Sequence, residues 1–371
     1  MIRFGPWSTT LGLGALFALA VAALLMAPAG QRRANRWVAA LLVVMALKLT
    51  PYVIGYAGFY DAYPWLSFAP FDHVLAFGPL LWLHVQQRTR EALPRGWGWH
   101  LLPAGLAALY ASACFAQPLA WKNSWNERVH APFVDPALTV LGLVSLAVYL
   151  GLAWQRHRAF QAWLAQHVSN AAEHRYDGLT GTLLALGLWL VVSMPYEAAT
   201  AIWRLDYFDR FGLYLLLTLI AFALGLEAWR HAGQRHPVQP TEVATAEPEP
   251  VEPAVGRAPP DWAALGAGWR ARVEAEGWFR DPALGLDGLA RRLGTNTSYL
   301  SRAFNEGLGQ GFADVIGGLR VAWLQQQLSA GAADDLLDLA LQAGFASKTS
   351  FNRVFKAQTG MTPSAWRRAK S

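Results

Sequence analysis

The chain has 371 residues, 54% of them hydrophobic and only 15% charged, well under the roughly 25% charged residues of soluble domains. That composition leads us to expect a membrane portion, and the single cysteine, Cys114, excludes an intrachain disulfide or a Cys-based zinc site. The formal charge of +6 and a pI near 9.5 suit an anionic partner, lipid headgroups or nucleic acid, without choosing between them.

Apolar runs crowd into residues 1–230, and Asp, Glu, Lys and Arg thicken after about residue 255. Seven stretches, roughly 9–29, 37–58, 68–86, 99–117, 136–155, 179–201 and 208–229, approach the ~20 residues a spanning helix needs. The first has no charged start and no small-residue cleavage pattern, so it reads as a span rather than a removable signal. An odd number of spans puts the termini on opposite sides. One set of loops carries Arg32, Arg33, Arg36, Arg88, Arg90, Arg95, Arg156, Arg158, Arg175, Arg230 and Arg235; the other carries Arg3, Lys122, Arg128, Arg204 and Arg210. Because basic residues stay on the cytoplasmic side, this predicts the N-terminus outside and the C-terminus in the cytoplasm. Trp37, Trp97, Trp99, Trp121, Trp125, Trp203 and Trp229 fall where interfaces are expected.

Ionisable side chains inside a bilayer are costly, which singles out Lys48, Asp72, His73 and Glu197. Pro51 and Pro195 lie beside Lys48 and Glu197 as candidate kinks. Two readings stand: the four line an outward-facing pocket for a small-molecule or envelope signal, or Lys48 and Glu197 form a structural ion pair while Asp72 and His73 are wetted at the interface. The run Trp121–Trp125 reads as a loop serving mainly as an interfacial anchor.

Residues 233–260, GQRHPVQPTEVATAEPEPVEPAVGRAPP, hold almost no large apolar side chain and cannot repay the entropy of folding, so they are predicted to be a disordered linker. The domains are then 1–232 in the membrane, 233–260 as tether and 261–371 as a second helical domain.

From Asp261 the apolar residues take the helical period, in about seven helices. In Leu286–Asn305, LDGLARRLGTNTSYLSRAFN, one helix buries Leu286, Leu289, Ala290 and Leu293, Gly294 ends it, and Thr295 or Asn296 caps a second helix that buries Leu300, Ala303 and Phe304. In Leu336–Thr359, LLDLALQAGFASKTSFNRVFKAQT, the pattern recurs with Leu336, Leu339, Ala340 and Ala343, a turn at Gly344–Phe345, a cap at Ser347, and Phe351, Val354 and Phe355. Each is helix, tight turn, helix. A longer helix near 312–328 separates them. The fold class predicted is all-α: a polytopic membrane bundle of about seven spans, then a C-terminal all-α domain with two helix-turn-helix units.

The runs GLDGLARRLGTNTSYLSRAFNEGLGQGFADVIGGLRV and LLDLALQAGFASKTSFNRVFKAQTGMTPSAWRR resemble the DNA-binding domain of the bacterial AraC/XylS regulators over roughly 265–369. Trp323 and Gln325–Gln327 depart from it, since the family places a small residue near the centre of that helix. The membrane half looks, more loosely, like seven-span sensor regions joined to such domains, in Phe77–Trp82 and His100–Pro103. The resemblance implies that the second helix of each unit enters a major groove of double-stranded DNA. It presents Asn296, Thr297, Ser298, Ser301 and Arg302 from the first unit and Lys348, Thr349, Asn352 and Arg353 from the second, with Arg302 and Arg353 the foremost base readers. Residues 345–371 carry six basic and no acidic residues, whereas 261–344 carry seven basic and ten acidic. Lys356, Arg367 and Arg368 are therefore expected on phosphates.

The function implied is a transcription regulator in the bacterial inner membrane, in contact with lipid and DNA, coupling a membrane signal to gene expression, with dimerisation a route for that coupling. It needs no cofactor or metal. The alternative is a polytopic enzyme or transporter with a regulatory tail. Against it, no HExxH, phosphate-loop, paired-carboxylate or Ser/His/Asp pattern occurs in a suitable setting, and GLGQG at 307–311 reads as an interhelical turn.

Overall fold

The structure, a computed structural model, describes residues 2–27, 32–167, 177–203, 205–232, 239, 260–330 and 335–370. Arg175, Arg204, Arg235 and the linker apart from Gln239 and Pro260 lie outside the described residues. The described residues form helices and turns with no strand among them, and one isolated backbone bridge joins Arg90 to Gln239. The chain divides into two compact units, residues 1–158 with 177–241, and 159–176 with 242–371.

In the first unit α1 (Pro6–Leu25), α2 (Arg32–Tyr56), α8 (Asp177–Trp203) and α9 (Phe211–Arg230) are long and apolar enough to cross a membrane, as is the continuous helical run 119–164, whose residues up to 158 belong to this unit. Proline at the first position starts α1 without wasting an amide. Trp7 stacks on Phe211 and Phe17 on Phe222, fastening α1 to α9. Large side chains such as Leu184, Leu188 and Val191 of α8 are exposed.

Two of the seven expected spans form shorter helices, α4 (Val74–Thr89) of 16 residues and α5 (Leu102–Phe115) of 14. Helix α4 lies at the centre, with all but two of its residues buried. At one end of the bundle a polar knot closes it. Asn35 donates to the carbonyls of Leu25 and Ala232, Arg88 donates to Asn35, and Arg156 donates to Thr89 and to the side-chain oxygen of Gln239. Arg88, assigned to a loop from the sequence, is thus inside α4 and 5% exposed.

The Trp121–Trp125 run is a helix rather than a loop. After the short α3 (Phe59–Ala62) and a 3-10 turn (Pro64–Leu66), α6 (Leu119–Trp125) passes through a π-helical segment (Asn126–Val134) into α7 (Asp135–His167). The wider π turn carries Pro132 without ending the helix. Lys122 points inward, its ammonium donating to the carbonyls of Trp65 and Ser67.

The second unit comprises α10 (Trp262–Ala275), α11 (Leu286–Leu293), α12 (Thr297–Arg302) with a π turn (Ala303–Gly307), α13 (Phe312–Ser329), α14 (Leu336–Gln342), α15 (Lys348–Thr359) and α16 (Pro363–Lys370). It has two cores. The first gathers Leu286, Leu289, Leu293, Leu300, Phe304, Ile316 and their neighbours. The second gathers Leu324, Leu339, Ala340, Phe345, Phe351 and Phe355. Trp323 packs against both, which gives the departure noted at this position a role as the shared wall between the cores.

Candidate nucleic-acid interface

Both helix-turn-helix units are built as the sequence pattern requires. Gly294 ends α11 in the left-handed conformation, and the Asn296 side chain accepts from the Tyr299 amide to cap α12, so the cap is Asn296 rather than Thr295. Ser347 caps α15 by accepting from the Ser350 amide. Gly344 turns with φ +93, and a Cβ there would lie 2.6 Å from the carbonyl oxygen of Arg280. Only glycine meets both demands.

Arg320, on α13, fixes the two units against each other. Its side chain is fully buried, donates to the carbonyls of Phe279 and Asp281, and lies over the Phe345 ring at 5.7 Å. Arg280 adds a hydrogen bond to the Gln342 carbonyl and stacks over Trp323. One cation thereby ties the segment before α11 to the turn before α15.

The second reader presents Lys348, Thr349, Asn352, Arg353 and Lys356 on the exposed face of α15. No side-chain hydrogen bond or ion pair engages them among the described residues. The buried face is Phe351 and Phe355, with Val354 partly covered. On α16 Arg367 is half-buried, while Arg368 is exposed and donates to the Ser364 carbonyl. An exposed row of hydroxyl, amide, ammonium and guanidinium groups, in a stretch (345–371) with six basic residues in all and no acidic one, matches what a duplex groove offers: acceptor-rich base edges flanked by phosphates.

The first reader is engaged differently. Asn296 spends its oxygen on the cap, and Ser301 accepts from Asn305. Thr297 is half-buried and Ser298 exposed. Arg302 makes two hydrogen bonds to Glu306 and stacks over the Trp262 ring at 4.5 Å. The hydrogen bond to Glu306 raises its pKa above the usual arginine value, so it stays cationic. Arg302, expected from the sequence to read bases, is thus already engaged by Glu306. Trp262 also meets Tyr299 edge to face, and the Gly307 position is closed by the Trp262 carbonyl, so the start of α10 lies directly against the first reading helix. Glu306→Gln is expected to tighten DNA binding at low salt, since it releases Arg302 and removes an acidic group near the phosphates. A double-mutant cycle with Arg302→Ala, read by titration of labelled duplex, checks this; the gain should vanish when Arg302 is absent.

In the first unit the ion pairs differ from the expected one. Lys48 pairs with Asp72, not with Glu197, and Asp72 also accepts from the Val74 amide. Glu197 faces Arg210 at 3.7 Å. His73 stands at the start of α4. Pro51 and Pro195 lie inside α2 and α8, and the Tyr207 hydroxyl donates to the Pro51 carbonyl. No group of three or more His, Cys, Asp or Glu among the described residues is placed to hold a metal ion.

Residues 289–369 match the model of a helix-turn-helix domain. The chain is 37% identical over 84 residues to uncharacterized HTH-type transcriptional regulators of Staphylococcus aureus strains MSSA476 and COL; the match covers 23% of this chain and 11% of theirs. No solved structure matches the chain. The C-terminal unit therefore carries an AraC-type helix-turn-helix domain, homologous to that of transcriptional regulators.

Proposed function

We propose that the chain is a sequence-specific DNA-binding transcription regulator held in the bacterial inner membrane, its N-terminus outside and its helix-turn-helix domain in the cytoplasm, which couples a signal at the membrane to gene expression. The observation that carries this reading is the row of exposed side chains on α15, Lys348, Thr349, Asn352, Arg353 and Lys356, unengaged among the described residues, on a domain whose homologues are transcriptional regulators. The first reader's Asn296, Thr297, Ser298, Ser301 and Arg302 take the neighbouring groove, and Arg367 and Arg368 contact phosphate.

The membrane coupling rests on the five helices long and apolar enough to span and on the uneven distribution of arginine between loops. Residues 233–260 join the two parts. The signal acts through the association or local concentration of two copies of the DNA-binding domain, because raising their effective concentration strengthens binding without any new contact.

Exchanging residues 1–232 for an unrelated single span of the same orientation tests the coupling. Operator occupancy in cells should remain measurable but stop responding to growth conditions that alter it in the intact chain. Unchanged regulation would reduce the spans to an anchor and contradict the sensor role.

A further inference from the structure

A cavity of about 320 Å³ opens in the membrane unit between the start of α4, α5 and the α6–α7 run, the size range of small-ligand sites. Its walls hold the rings of Phe68, Tyr110 and His130 beside the carboxylate of Asp135. His130 meets Phe68 edge-on at 4.7 Å and stacks on Tyr110 at 5.9 Å. Tyr110 is itself fixed, its hydroxyl accepting from the Trp125 indole and lying 3.0 Å from His130 Nδ1.

The charges at the walls are unequally satisfied. Asp72 is answered by Lys48. Lys122, 3% exposed, gives its ammonium to two backbone carbonyls and lies over the Phe115 ring. Asp135 is exposed and makes no hydrogen bond or ion pair among the described residues; it lies within electrostatic reach of Lys48, which is already paired with Asp72, and of His130. What remains for an incoming molecule is a carboxylate beside aromatic faces, the combination that recognises organic ammonium groups. Backbone strain marks the same wall, because Phe68 is the one non-glycine residue with positive φ among the described residues, at 63°. A strained backbone persists where surrounding structure over-determines it, and such positions cluster at ligand sites.

We propose that this cavity is a binding site for an organic cation with a small apolar body, held by Asp135 and the rings of Phe68, Tyr110 and His130. The site deepens the sensor reading given above and rests on it for its biological meaning, not for its chemistry. A soluble amine and the ammonium headgroup of a lipid share that chemistry.

The test uses the full-length protein in nanodiscs of phosphatidylglycerol, with benzyltrimethylammonium as probe and benzyl alcohol and phenylacetate as neutral and anionic counterparts, read by calorimetric titration and by the Tm shift. The cation should bind saturably and raise Tm while the other two do not. Asp135→Asn should weaken cation binding by about tenfold or more, Ala111→Trp should fill the cavity and abolish it, and Asp61→Asn, outside the cavity, should change nothing. Equal binding of alcohol and cation, or an unchanged affinity in both Asp135→Asn and Ala111→Trp, would overturn the proposal, and two separate variants guard against one that fails to fold. Repeating the titration with phosphatidylethanolamine separates the sources: competition assigns the site to a lipid headgroup, its absence to a soluble amine. Cation binding that leaves operator occupancy unmoved would defeat the sensor reading alone; regulation that depends on the spans without any cation binding would defeat this site alone.

Discussion

Replacing Arg320 by alanine is expected to destabilise the helix-turn-helix domain by roughly 3–5 kcal/mol, the cost of breaking a buried, hydrogen-bonded charge. The wild-type guanidinium is fully buried and donates to two carbonyls, those of Phe279 and Asp281. Alanine leaves both acceptors without this donor and opens a void beside Phe345. The loss also frees one reader from the other, so specific DNA binding should fall further than folding alone accounts for. Hydrogen exchange of α11, α13 and α15 in the full-length protein measures the first effect. Arg320→Lys should recover part of the stability, because an ammonium keeps the charge but not the planar fork. Protection unchanged from wild type in Arg320→Ala would show that the buried cation is not what holds the units together.

Arg353→Ala is the second large effect. A side chain reading a base by paired hydrogen bonds is worth ~1–3 kcal/mol of discrimination, about 5- to 150-fold in affinity. The variant should lose that much on its operator and little on unrelated duplex. Lys356→Gln should behave in the opposite way, weakening binding to every sequence and lowering the salt slope by about one counterion. Arg353 engages no partner among the described residues and lies on the exposed face of α15, so its removal leaves the Phe351 and Phe355 core intact and separates recognition from stability. Equal losses on operator and unrelated DNA would move Arg353 from base reading to phosphate contact.

Much of the helix-turn-helix domain is legible in the sequence because local rules dominate there. Leu289, Ala290, Leu300 and Phe304 in one unit and Leu339, Ala340, Phe351 and Phe355 in the other fall at helical spacing, and all are buried. Ser347 caps, and Gly294 and Gly344 turn, where side-chain chemistry demands it. Arg320 escaped notice, although its position four residues after Ile316 sets it on the buried stripe of α13. An arginine there reads as solvated until the carbonyls that satisfy it are known. The latch on Arg302 was half visible: Glu306 lies at the i+4 position, but Trp262 comes from a helix 40 residues away.

The first unit is less legible, since packing order among long apolar helices leaves little trace in any one of them. Lys48 has two candidate partners by charge, and only the juxtaposition of α2 with α4 selects Asp72 over Glu197. The 119–134 segment looks like a loop because of Lys122, Glu127, Arg128 and Pro132, yet a π turn accommodates the proline and Lys122 finds carbonyls inside the bundle. Five of the expected spans form helices of spanning length, while the centre of the bundle is the 16-residue α4. Burial by protein rather than lipid relaxes the length a helix needs.

Genome-wide occupancy of the intact protein, compared with Arg353→Ala in cells where both remain in the membrane fraction, tests the central claim most directly. The wild type should give discrete sites sharing a sequence pattern, and Arg353→Ala should lose those sites while staying membrane-bound. Identical occupancy profiles for the two, or no discrete sites for either, would contradict a membrane-held reader of DNA.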